Sequence, residues 1–118
     1  MMKITMMAAA LATSSVATAQ ESADDELNRY YTAAVERLKS NEKVETLAQL
    51  RGSQRAWLRF RDAECEAVAM SWRPGSIAAT MQGECFDRLT RARTRTIWAS
   101  WLTYFDSTPP ILPRPEGE

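Results

Sequence analysis

Apolar side chains recur every three or four residues along most of this chain, which is the spacing of one buried face of an α-helix. The first series consists of Leu27, Tyr30, Tyr31, Ala34, Val35 and Leu38. The second consists of Leu47, Leu50, Trp57, Leu58, Cys65, Val68, Ala69 and Trp72, and the third of Ile77, Met81, Phe86, Leu89, Ala92, Ile97, Trp98, Trp101, Leu102 and Phe105. No strand-like alternation is visible, so the pattern predicts an all-α fold, a small bundle of about three helices.

Local signals place the ends of these helices. Ser22, followed by Asp25, resembles a capping box and predicts the start of the first helix, which a break at residues 39–41 ends. The second helix is predicted over residues 42–70. Gly52 inside it costs about 1 kcal/mol relative to alanine, which suggests a kink or a close helix contact near Gly52 and Ser53.

A proline and a glycine mark the next turn. Residues 71–76 contain Pro74 and Gly75, and Ser76 is predicted to cap a third helix that runs to about Phe105. Four prolines between residues 109 and 115 prevent the helix from continuing. Residues 107–118 are therefore predicted to be an extended or disordered, solvated tail rather than a ligand for a proline-binding module.

The N-terminus has the three parts of a secretory signal peptide. Lys3 precedes an apolar run over residues 4–16, and Ala17 and Ala19 stand before a plausible cleavage site. We therefore expect residues 1–19 to be a signal peptide, residues 20–106 to be the helical domain, and the protein to be exported to the periplasm or the exterior. No cysteine stands at the cleavage site, so no membrane anchor is expected after cleavage.

The chain contains two cysteines, Cys65 and Cys85. In an oxidising compartment they are expected to form a disulfide that clamps helices two and three as an antiparallel hairpin. A reactive thiol and half of a metal site are the weaker alternatives, because no Cys-x-x-Cys spacing is present and two thiolates alone make a poor zinc site.

The 118 residues include no histidine, which excludes Ser-His-Asp and Cys-His nucleophiles and zinc sites that contain histidine. Fifteen basic residues are balanced by 15 acidic ones, so the backbone of a nucleic acid is not an expected partner. We therefore expect no catalytic residues, no metal and no cofactor, and a protein that is not an enzyme.

An acidic pair and two rows of arginines are the charged groups that could form a functional site. Asp62 and Glu66 share a helix face and form a possible acid-base pair, but nearby arginines favour ion pairs across helices two and three. Two basic ridges are formed by Arg51, Arg55 and Arg59 and by Arg88, Arg91 and Arg95. They are either solvated faces or surfaces for an acidic partner.

One stretch resembles a known family. It reads Gln54-x-x-Trp57-x-x-x-Arg61-Asp62-x-x-Cys65, followed by Gly75-Ser76-Ile77 and Cys85-x-x-x-Leu89-Thr90-x-x-Arg93-Thr94. These residues resemble the lysozyme inhibitor LprI-like, N-terminal domain family over residues 27–97, with Gly52 and Ser53 replacing its usual helix formers. The resemblance implies a compact helical domain with one disulfide. Its motif residues look like fold determinants, a core aromatic and a polar network: Gln54, Trp57, Arg61, Asp62, Arg93 and Thr94.

Two functions follow from the resemblance and the residues. The first is a non-enzymatic lysozyme inhibitor that reaches the enzyme's cleft with the turn Arg73-Pro74-Gly75-Ser76. The second is a structural or interaction module of the cell envelope that docks on another envelope protein. Its surface would be the arginine ridges or the aromatics Trp98, Trp101, Tyr104 and Phe105.

Overall fold

Three helices form the protein in the computed structural model, which describes residues 21–116. They are α1 (Ala23–Ser40), α2 (Val44–Trp72) and α3 (Ala78–Trp101). No strand occurs among the described residues, and the all-α prediction is confirmed. α3 packs extensively against both α1 and α2, whereas α1 and α2 touch each other less. The expected signal peptide lies outside the described residues.

The ends of α1 follow from its sequence. The hydroxyl of Ser22 accepts a hydrogen bond from the amide of Asp25 at 3.1 Å, which confirms the predicted cap. Three acidic residues in the first turn complement the positive end of the helix dipole. After α1 the backbone of Glu42 adopts φ 56°, a left-handed conformation that a helix cannot contain. α2 therefore begins at Val44 rather than at the predicted residue 42.

The core lies where all three helices meet. It is built from Leu27, Tyr30, Ala34, Val35, Leu38, Leu47, Leu50, Ile97 and Leu102. Trp57, Trp98 and Trp101 pack against it from the edge. The predicted series are thus right in this region, but Leu58, Trp72, Ile77 and Phe105 are exposed and the core prediction is wrong for them.

Two local expectations are also wrong. Ser76 does not cap α3, because the N-cap residue is Ile77 and it forms no side-chain cap bond. α3 ends at Trp101, four residues before the predicted end at Phe105. α2 is continuous through Gly52, and α3 contacts it at the next residue, where Arg93 donates to the Ser53 hydroxyl at 3.1 Å.

The C-terminal segment, residues 107–116, is extended, as its prolines predict, but residues 111–115 are held against the bundle rather than forming a solvated end. The indole of Trp98 donates to the carbonyl of Leu112 at 2.9 Å, and the hydroxyl of Tyr30 donates to the carbonyl of Pro113. Leu112 packs on the core and Pro115 is buried. The segment has no helical pattern, so periodicity alone could not reveal that it covers the bundle.

Unequal helix lengths divide the molecule into two regions. α1 has 18 residues, whereas α2 has 29. The first turn of α1 contacts α2 at Arg61, so the parts of α2 and α3 beyond that level have no third helix beside them. We call residues 62–85 the protruding hairpin and the rest of the described chain the base.

Candidate functional site

A disulfide closes the protruding hairpin near the base. Cys65 and Cys85 are bonded, with their Cα atoms 5.5 Å apart, and both side chains are buried. The predicted link between helices two and three is confirmed. It crosses the hairpin just beyond the N-terminal end of α1, so a covalent bond stands where a third helix would otherwise supply packing.

The tip of the protruding hairpin is the turn that sequence analysis singled out. Arg73, Pro74, Gly75 and Ser76 are all exposed. The amide of Gly75 donates to the carbonyl of Trp72 at 2.9 Å. A Cβ at Gly75 would lie only 2.8 Å from that same oxygen, so this tight turn requires glycine.

Arg73 is held at the tip by a carboxylate. Its guanidinium donates to Glu66 at 2.9 Å, and Gln82 of α3 donates to the second oxygen of Glu66 at 3.3 Å. Both members of the ion pair remain about half exposed. The guanidinium is therefore oriented but still open to a further acceptor.

Apolar side chains surround this turn. Met70, Trp72 and Ile77 are 62%, 45% and 46% exposed. Exposed aromatic and apolar groups next to an arginine are the residue types that dominate protein interfaces. The helical spacing of Trp72 and Ile77 predicts that they lie in the core, but both are exposed. The shortness of the first apolar series was the signal that no third helix would reach them.

The family motif builds a junction at the level where the protruding hairpin leaves the base. Arg61 donates to Asp24 of α1 at 3.0 Å and to the hydroxyl of Thr90 of α3 at 3.1 Å. Its guanidinium lies 5.2 Å from the ring centre of Trp57 and 5.1 Å from that of Phe86. Its side chain is only 15% exposed, so one residue of α2 joins all three helices.

A second motif arginine joins α2 to α3. Arg93 donates to Gln54 at 2.9 Å and to Ser53 at 3.1 Å, and burial lowers the pKa of its guanidinium. Thr94 is buried and donates to the carbonyl of Thr90. Of the six motif residues, Asp62 is the one that is exposed, and it accepts a bond from Arg61 at 3.4 Å. The structure thus brings the other five together inside the bundle.

The proposed acid-base pair does not form a cleft. Asp62 and Glu66 are both exposed and are bonded to Arg61 and Arg73. The ion pairs expected on the surfaces of helices two and three are present, from Arg61 to Asp62, from Arg73 to Glu66 and from Arg91 to Asp87. The pairs that join different helices reach α1, from Arg61 to Asp24 and from Arg91 to Glu26, because the first turn of α1 carries three acidic residues.

The two arginine ridges differ. Arg51, Arg55 and Arg59 are exposed, and none forms an ion pair with any residue between 21 and 116. In the second ridge, Arg91 is paired with Glu26 and Asp87. A free basic surface therefore exists on α2, while the second ridge is partly used to hold the bundle together.

The C-terminal aromatics also separate into two groups. Trp98 and Trp101 are half-buried against the core, whereas Tyr104 and Phe105 are exposed. Arg37 lies 4.3 Å from the ring centre of Tyr104 and donates to the carbonyls of Trp101 and Thr103. Core packing thus accounts for the tryptophans, and a small aromatic surface remains beside them.

Within residues 21–116, no helix combines the length and the apolar character needed to cross a membrane. The same part of the chain contains no cluster of three or more cysteine, aspartate or glutamate side chains placed to hold a metal ion.

Comparison with known proteins identifies the family. The family described as Lysozyme inhibitor LprI matches residues 4–97, which is most of the chain. An uncharacterized protein of Rhizobium meliloti (strain 1021) is 33% identical over 81 residues, which are 61% of this chain and 58% of that protein. No solved structure matches. The family match ends at residue 97, where the resemblance noted in the sequence also ends. The family is described as an inhibitor family, which is consistent with a protein that is not an enzyme. The chain belongs to the Lysozyme inhibitor LprI family.

Proposed function

We propose that this protein is an exported, non-enzymatic inhibitor of a lysozyme and that the tip of the protruding hairpin enters the enzyme's cleft. The observation that carries the proposal is the tip itself. It is a tight turn at the end of a disulfide-closed hairpin, and it exposes Arg73 beside Trp72 in a chain whose family is described by lysozyme inhibition.

The chemistry of the cleft suits such a tip. Glycosidases of the lysozyme type use a pair of carboxyl groups on either side of the scissile bond. A guanidinium is a strong donor to carboxylates, and a tryptophan ring fills space that a sugar ring would occupy. Arg73 would exchange or share its bond to Glu66, which is half exposed, when it meets those carboxyl groups.

Rigidity supports the proposal as well. A turn that is already held by the disulfide and by the Gly75 amide loses little conformational freedom on binding. The disulfide is also consistent with an oxidising compartment, and we propose that residues 1–19 direct the protein there and are then removed.

The test is the rate at which lysozyme clears a suspension of bacterial cell walls, measured with increasing amounts of the mature protein. We expect the wild-type protein to slow clearance. Trp72→Ala and Arg73→Ala should each weaken inhibition by about tenfold to thirtyfold, as interface hot spots do. Phe105→Ala and Arg55→Ala are matched controls, because they remove an exposed aromatic and an exposed arginine from the base and should leave inhibition unchanged.

Two outcomes would count against the proposal in different ways. Undiminished clearance at a large excess of wild-type protein would refute inhibition of that lysozyme. Full inhibition by Trp72→Ala and Arg73→Ala would leave the inhibitor in place but remove the tip as its binding surface.

The second candidate, an interaction module of the cell envelope, is favoured by the unpaired ridge of Arg51, Arg55 and Arg59. An acidic envelope protein bound there should dissociate progressively as salt is added, because the contacts are exposed and electrostatic. Its binding should be lost in Arg55→Ala and retained in Arg73→Ala, the reverse of the pattern expected for the inhibitor.

A further inference from the structure

The outward face of α2 carries an apolar seam with a heptad pattern. Its residues are Ala56, Phe60, Ala63, Ala67 and Met70, at alternate spacings of four and three. This is the repeat of the a and d positions of a coiled coil. All five side chains are exposed, with Phe60 at 54% and Met70 at 62%. We call this set the α2 seam.

No part of the described chain covers the α2 seam. At about 100° per residue, the seam lies on the side of α2 roughly opposite its buried residues. Those buried residues, which face α1 and α3, are Leu47, Leu50, Gln54, Cys65 and Ala69. The seam therefore serves no packing purpose within the bundle, although it places a phenylalanine and a methionine in solvent.

We propose that the α2 seam binds the same seam of a second copy of the chain, as an antiparallel two-stranded coiled coil. Self-complementarity is the reason for choosing this occupant, and it goes beyond the proposed lysozyme inhibition. When two seams run in opposite directions, Phe60 lies opposite the partner's Ala63, and Met70 lies opposite the partner's Ser53. Each large side chain then meets a small one, which is the condition for close packing.

Charges beside the α2 seam select the same arrangement. Arg59 and Glu66 both occupy the g position of the heptad, and g positions face each other in antiparallel pairs. In the register above, Arg59 faces the partner's Glu66, and the two-fold axis repeats the contact. A shift by one heptad would place Glu66 against the partner's Glu66 and Phe60 against the partner's Met70. Both charge and packing therefore disfavour the shifted register.

A parallel pair is the main competitor and makes a different prediction. It would stack Phe60 on the partner's Phe60 and leave layers of alanine alone, which packs unevenly. In that geometry Arg59 would face the partner's Glu64, because g and the following e position meet in parallel coils. Glu64 is exposed, so the identity of the acid that pairs with Arg59 distinguishes the two directions.

Sedimentation equilibrium of the mature protein over a wide concentration range tests the proposal. We expect a monomer–dimer equilibrium that Phe60→Glu abolishes, while circular dichroism shows an unchanged helical fold because position 60 is exposed. Arg59→Glu should raise the dimer dissociation constant by about tenfold, and adding Glu66→Arg to it should restore dimerisation. Arg55→Glu makes the same change of charge at a residue that occupies neither an e nor a g position. It should therefore change the dimer dissociation constant much less.

Specific results would overturn the proposal. A chain that is monomeric at every concentration, or a dimer that Phe60→Glu leaves intact, would show that the α2 seam does not bind a second copy. Rescue of Arg59→Glu by Glu64→Arg rather than by Glu66→Arg would refute the antiparallel arrangement. Wall clearance by lysozyme is a separate readout, so failure of inhibition and failure of dimerisation are distinguishable.

Discussion

The base and the protruding hairpin are built from the same two long helices but are stabilised differently. In the base, α1 and the C-terminal segment cover α2 and α3, and a core with fully buried Ile97 and Leu102 forms between them. In the protruding hairpin, two helices stand alone, and Trp72, Met70 and Ile77 remain in solvent. In the protruding hairpin, the disulfide provides the stabilisation that packing against α1 provides in the base.

This difference explains how so short a chain presents a rigid surface. A two-helix hairpin of this size buries too little apolar area to be stable alone, so its exposed apolar residues would ordinarily favour aggregation. Closing a loop of 20 residues restricts the unfolded chain and contributes about 3 kcal/mol. The hairpin can therefore leave its tip uncovered for a partner and still remain folded.

The largest expected effect comes from removing the disulfide. Cys65→Ala combined with Cys85→Ala should lower the free energy of unfolding by about 3 kcal/mol. The loss should be uneven, because the base keeps its core. Amide hydrogen exchange should show residues 62–85 opening first while α1 and the end of α3 stay protected.

Reduction of the wild-type protein provides the control, because it breaks the same bond without substitutions and should give the same pattern. If protection instead fell equally in the base and in the protruding hairpin, the two regions would unfold as one unit. The base and the protruding hairpin would then not differ in local stability.

Much of the base could be predicted from the sequence. The five buried residues of α1 all belong to the predicted apolar series, because an amphipathic helix buries one face whatever it packs against. The disulfide was predictable for a different reason, since Cys65 and Cys85 are the two cysteines of a chain that is expected to enter an oxidising compartment.

The candidate site was only partly predictable. The turn at residues 73–76 was found from its proline and glycine, but exposed Trp72 and Ile77 were assigned to the core. Periodicity states which residues share a helix face, and it does not state whether another helix covers that face. The α2 seam and the packing of Leu112 on the base were missed for the same reason, because both depend on which elements meet in three dimensions.

Arg61 stands at the boundary between the two regions, so replacing it tests whether they are coupled. Arg61→Met removes bonds to Asp24 and Thr90 and the contacts with Trp57 and Phe86. We expect the free energy of unfolding to fall by about 2 kcal/mol, since the Arg61 side chain is mostly shielded from water, although Asp24 is exposed. Chemical denaturation measures the change.

Arg55→Met is the matched control for this substitution. Arg55 lies on the exposed face of the same helix and forms no ion pair with another described residue, so its replacement should change stability by less than about 0.5 kcal/mol. Equal effects of Arg55→Met and Arg61→Met would show that the motif arginine does not join the regions.

The smallest effect concerns the C-terminal segment and depends on pH. Burial raises the pKa of Tyr30 above its ordinary value of 10.0, and its hydroxyl donates to the carbonyl of Pro113. Above about pH 10 the unfolded chain loses this proton while the folded chain retains it. The unfolded state then binds fewer protons, so stability should decrease as pH rises toward the folded pKa.

Tyr30→Phe separates this contribution from general alkaline unfolding. The variant should lose about 1 kcal/mol at neutral pH, because the Pro113 carbonyl loses its donor, and its stability should fall less steeply above pH 10 than that of the wild type. Tyr31→Phe, at the neighbouring half-buried tyrosine, should keep the wild-type slope. Equal alkaline slopes in wild type and Tyr30→Phe would mean that the segment is held on the base by Leu112 and Trp98 alone, without a contribution from the tyrosine hydroxyl.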